Sequence, residues 1–161
     1  MTAFQPDHPA APTEGLGFRV PPHNYEAEQA LLGAILLSNR AYERVSEFLK
    51  AEHFADPVHG RIFATCGKLI ERGQMANPVT LKTYFENDGG LAEIGGTNYL
   101  AQLANAVVSV INAEDYGKLV FDLHLRRSLI GMGEDMVNDA FAPDLDVPAI
   151  DQIGRGRGQA L

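Results

Sequence analysis

The segment Pro21-Pro22-His23-Asn24-Tyr25-Glu26-Ala27-Glu28-Gln29-Ala30-Leu31-Leu32-Gly33-Ala34-Ile35-Leu36-Leu37 reads as a helix start followed by a buried helix face. The two prolines hold the approach extended, Asn24 is placed to cap the first-turn donors, and Glu26 and Glu28 fall where the helix dipole favours negative charge. Ala27, Leu31, Ala34 and Ile35, with Leu32 and Leu36 beside them, then follow the three-and-four spacing of a face turned to a core. Such a helix has to pack against other helices, and nothing in it suggests chemistry.

Outward from this helix the pattern repeats. Ser38 or Asn39 is a cap for a second helix that carries Tyr42, Val45, Phe48 and Leu49 and ends near Lys50. Asp56-Pro57 is a cap with proline at the first helical position, and Val58, Ile62, Phe63, Cys66, Leu69 and Ile70 mark a buried face until Gly73. Asn77-Pro78 repeats that signal for a helix with Leu81, Tyr84 and Phe85, which Gly89-Gly90 stops. After Gly95-Gly96, Thr97 is placed to cap a fifth helix with Tyr99, Leu100, Leu103 and Ala104. No run alternates apolar with polar residues, so the fold class is all-α. The first, third and fifth helices should share one core, burying Leu32, Ile35, Phe63 and Leu103.

Asn112 then caps a long helix. Along it Tyr116, Val120, Leu123, Ile130, Val137 and Phe141 form a heptad ladder whose missing rungs are Arg127 and Glu134. A stripe of this kind needs a partner surface, and these six residues are the candidate subunit interface. The domain organisation expected is a disordered tail over 1–20, a helical head over 21–110, the long helix and the start of a second arm over 111–153, and a Gly/Arg tail over 154–161.

Composition narrows the function. The chain has 161 residues, a formal charge of −8 and one cysteine, so no disulfide framework is built within it. No apolar run approaches the roughly twenty residues of a membrane span, and no basic leader precedes an apolar stretch, which points to the cytoplasm. The acidic balance repels phosphate and argues against tight nucleic-acid binding by this chain by itself. No Gly-x-x-x-x-Gly-Lys-Ser/Thr loop is present to hold a triphosphate, and no catalytic, cofactor-binding or metal-binding residue is expected.

His53, Asp56 and His59 lie close in sequence, but Asp56 is better explained as a cap, and two histidines six apart do not share a helical face. Cys66 occupies a core position inside a helix. Arg126-Arg127, with Asp122, Glu134 and Asp135 around them, read as a solvated face or an interface ion pair. The two arginines of Gly154-Arg155-Gly156-Arg157-Gly158 are too few for strong nucleic-acid binding.

The opening string resembles the N-terminal domain of bacterial replicative DNA helicases of the DnaB family, which typically begins with two prolines, a polar pair and Glu-Ala-Glu-Gln-Ala-Leu-Leu-Gly. The stretch Gly95-Gly96-Thr97-Asn98-Tyr99-Leu100-Ala101-Gln102-Leu103-Ala104 follows the same family's later pattern. The resemblance covers about 20–151. It implies a compact helical head followed by a long helix that begins a helical hairpin, through which neighbouring subunits pair into a collar. The sequence departs from the family pattern after Ala142-Pro143-Asp144, where three glycines within 154–158 curtail a second arm.

Functionally, the resemblance implies the collar and interaction domain of a replicative helicase in the primosome. This domain supports subunit pairing in a hexameric ring and docks primase and, in some lineages, a loader. ATP- and magnesium-dependent unwinding belongs to a RecA-like domain absent from this sequence, so the chain is expected not to be an enzyme on its own. DNA is reached only through the full-length assembly. The alternative is a truncated stand-alone scaffold or regulator that binds primase or full-length helicase. An unrelated small helical enzyme would need a paired base and nucleophile, which the sequence does not offer.

Overall fold

Local caps set the helix starts. Asn24 Oδ1 accepts from the Ala27 N–H at 2.9 Å, Asp56 Oδ1 from Val58 N–H at 2.9 Å, and Asn77 Oδ1 from the N–H groups of Val79 and Thr80. The computed structural model describes residues 19–107 and 110–142. Six helices form within them: α1 (Tyr25–Leu37), α2 (Arg40–Val45), α3 (Pro57–Glu71), α4 (Pro78–Asp88), α5 (Gly96–Asn105) and α6 (Ala113–Phe141), with one 3-10 turn at Ala51–His53 and no strand among the described residues. Gly89, at φ 72°, ends α4 in the left-handed conformation that its position requires.

α1 is the central helix and touches α2, α3, α5 and α6. Leu31, Leu32, Ala34 and Ile35 are fully buried on it, and Phe63 from α3 and Leu103 from α5 complete the shared core expected from the sequence. The close approach of α1 and α5 depends on Gly33, where a Cβ would collide with the Leu103 carbonyl oxygen and the Val107 side chain. The first part of α6 closes the core with Ala113 and Val120, both buried.

The second helix is shorter than its sequence suggests. It ends at Val45, and a turn over 46–48 replaces its last part. Phe48 and Leu49 N–H both bond to the Val45 carbonyl, which swings Leu49 into the core where it is 2% exposed. Three expected caps also differ. Asn39 donates to the Ile35 and Ala76 carbonyls and accepts from Ala76 N–H, tying the end of α1 to the α3–α4 loop instead of capping α2. Thr97 lies inside α5, whose cap is Gly95, and Asn112 makes no side-chain cap bond to α6. Glu114 and Asp115 supply the negative charge at that helix start. Residues 1–18 of the expected tail, and the expected second arm and Gly/Arg tail from 143 onward, lie outside the described residues.

Candidate functional site

Glu28, Leu32 and Ile35 are spaced by four and three along α1, so the carboxylate falls on the same inward face as the leucine and isoleucine. Its side chain is 2% exposed. Oε1 accepts from Ala55 N–H at 2.5 Å and Oε2 from Asp56 N–H at 3.3 Å. Oε2 also faces His59 Nδ1 at 2.6 Å, and His59 Nε2 meets the Tyr99 hydroxyl at 2.5 Å. Gln29 Nε2 donates to that hydroxyl at 3.3 Å. α1, α3, α5 and the loop before α3 are thus joined by one buried chain of polar groups, and no buried side-chain nitrogen or oxygen among the described residues is left without a partner.

A carboxylate, an imidazole and a hydroxyl in series have the shape of a proton relay. The phenol does not suit it: burial first, then Asp56 and Glu28 nearby, raise the Tyr99 pKa against the opposing Gln29 bond, so the hydroxyl keeps its proton. What the arrangement does well is hold three helices in register. Beside it lies an open cleft of about 340 Å³ lined by Asp56, Val58, Ala92, Glu93, Gly95 and Tyr99. The position of Glu28 within an apolar spacing was the available signal for this network, and the dipole reading of that residue overlooked it.

The remaining sequence candidates separate. His53, Asp56 and His59 do not form one cluster: His53 Nδ1 accepts from Lys50 N–H, whereas Asp56 caps α3 and its Oδ2 lies 3.9 Å from Nε2 of His59, which pairs through Nδ1 with Glu28. Cys66 is fully buried, and burial pushes its thiol up to about 12. Arg126 pairs with Asp122 on the solvent side. Arg127 does not belong to a solvated face: it donates to the carbonyls of Pro22 at 2.9 Å and His53 at 2.8 Å, clamping α6 to both ends of the segment that precedes α3. The missing rung of the ladder is therefore an internal brace.

The ladder itself divides. Tyr116 and Val120 pack on the head, Leu123 is half-buried, and Ile130, Val137 and Phe141 are 45%, 55% and 85% exposed. Beyond Arg127 no described residue of α6 is buried. Ile130, Gly133, Glu134, Val137 and Asn138 line a shallow groove of about 640 Å³ along this free part.

The sequence model of the DnaB-like helicase N terminal domain matches residues 20–122 of this chain. The chain belongs to that family. Replicative DNA helicase DnaB of Rickettsia felis is 46% identical over 135 residues, which is 84% of this chain and 27% of the relative. The Treponema pallidum DnaB is 38% identical over 130 residues, 81% of this chain and 30% of the relative. The chain thus spans less than a third of the length of these DnaB relatives.

Among solved structures, the N-terminal domain of DnaB helicase from Mycobacterium tuberculosis superposes with a TM-score of 0.78 at 31% identity, covering 87% of this chain and 97% of that one. A DnaB-like replicative helicase, whose structure is described together with its interactions with primase, superposes with a TM-score of 0.70 at 25% identity, covering 86% of this chain and 32% of that one. The all-α head of the DnaB N-terminal domain is therefore the fold of this chain, and the DnaB match ends inside α6, near where that helix leaves the head.

Proposed function

We propose that this chain acts as the collar domain of a cytoplasmic replicative helicase, pairing with other copies through the distal half of α6 and presenting a docking surface to primase. The observation that carries the pairing is the apolar face of Leu123, Ile130, Val137 and Phe141, most of it exposed to solvent along the distal part of α6, where no described residue beyond Arg127 is buried. Tyr116 and Val120 serve this surface from behind by fixing the helix to the head. ATP-driven unwinding and contact with DNA reside in the portion of the DnaB relatives that this chain does not span. The formal charge of −8 agrees with a protein-facing role.

Sedimentation velocity over a concentration series tests the reading. The parent should self-associate with a dissociation constant in roughly the micromolar range, and Ile130→Asp, which lies away from the core, should be monomeric. A strictly monomeric parent, or an Ile130→Asp variant that associates as well as the parent, overturns it. Purified primase should shift the sedimentation of the parent, and its failure to do so removes the docking role.

A further inference from the structure

The joint between the head and α6 is built from groups whose charge state matters. His53 is buried at the 3-10 turn with its ring 4.4 Å from that of His124 on α6, centroid to centroid, and Phe121 packs edge-on to His53 at 5.1 Å. The guanidinium of Arg127 lies one turn further along α6 and bonds the His53 carbonyl. A backbone N–H can only donate, so the Lys50 N–H at 2.9 Å from His53 Nδ1 fixes that nitrogen as an acceptor and the ring as neutral. A proton arriving at His53 has only Nδ1 to occupy. It would break the Lys50 bond that starts the turn and place a cation against a second imidazole and a guanidinium.

We propose that His53, His124 and Arg127 form a proton-operated latch, which holds α6 on the head while both imidazoles are neutral and releases it when they are charged. The charged groups acting on His53 are Lys50 and Glu52 on its own turn and His124 and Arg127 on α6; Glu52 opposes the other three. Burial first, then His124, holds the His53 pKa below the ordinary imidazole value, and burial, then Arg127, does the same for His124. The sign follows. A lowered pKa means that the released joint binds more protons than the closed one, so closure is fully favoured above about pH 6.5 and is lost as pH falls through and below that value.

Amide hydrogen exchange of the full chain, corrected for the intrinsic pH dependence of exchange, reads this directly. Between about pH 7.5 and about pH 5.5, residues 116–128 should lose protection while α3 retains it, by up to about tenfold per pH unit for each proton taken up. His124→Phe keeps the ring packing and removes one of the two titrating groups, so it should lose about half of the response. An unchanged protection of 116–128 across the range overturns the latch. So does a full response in His124→Phe, which shows that His124 takes no part in it. Ring NMR titration of the parent supplies the second measurement, independent of any variant's folding: both His53 and His124 should titrate below free imidazole, and titration of either at or above it refutes the proposal.

Discussion

Glu28 places a carboxylate among leucines, which is tolerable only because both of its oxygens are hydrogen-bonded. Glu28→Ala would strand His59 and the Ala55 and Asp56 N–H groups in the core. A loss of about 3–5 kcal/mol is expected from breaking a buried pair by removing one partner, measurable by urea unfolding; a change within about 0.5 kcal/mol, the usual range for a surface substitution, would show that the network carries no stability. Glu28→Gln keeps the shape and should lose less. Cys66 offers a second check. With its thiol pushed up to about 12 and no exposed surface, it should resist alkylation at mildly alkaline pH until the domain unfolds. Alkylation as fast as that of a free thiol in the native protein would contradict the placement of α3.

Helices touch where side chains permit it, and Gly33 sets the spacing of α1 and α5. Gly33→Ala would force the two apart, costing about 1–3 kcal/mol by overpacking, while Phe63→Ala would cost about 3–5 kcal/mol by leaving a cavity. Thermal unfolding of each variant measures both, and a melting point equal to that of the parent would refute the packing. The starts of α1, α3 and α4 were legible because each is decided within four residues: Asn24, Asp56-Pro57 and Asn77-Pro78 bond to their own first turns. The end of α2 was not, because it depends on Leu49 reaching a core assembled from distant segments. Nor was Arg127 legible, whose acceptors lie 105 and 74 residues away in sequence. Periodicity found the apolar ladder of α6, yet spacing carries no information on which rungs meet the chain's own head and which remain for another surface.

The molecule combines an acidic, well-capped head with a long apolar-edged helix, and its sequence holds no Gly-x-x-x-x-Gly-Lys-Ser/Thr motif for a triphosphate. A preparation free of full-length helicase should show no DNA-stimulated ATP hydrolysis, and measurable turnover would refute this. α6 has 29 residues, and from Arg127 to Phe141 it rises about 21 Å at 1.5 Å per residue. It is therefore a lever with its pivot at the two Arg127 hydrogen bonds. A swing of about 10° there displaces the tip by about 4 Å, comparable to the roughly 4 Å over which apolar side chains stay in contact. In the proposed pairing, the orientation that one copy would offer another is thus set far from the apolar face of α6, by the carbonyls of Pro22 and His53, and small errors at that fulcrum would be magnified into loss of fit at Phe141.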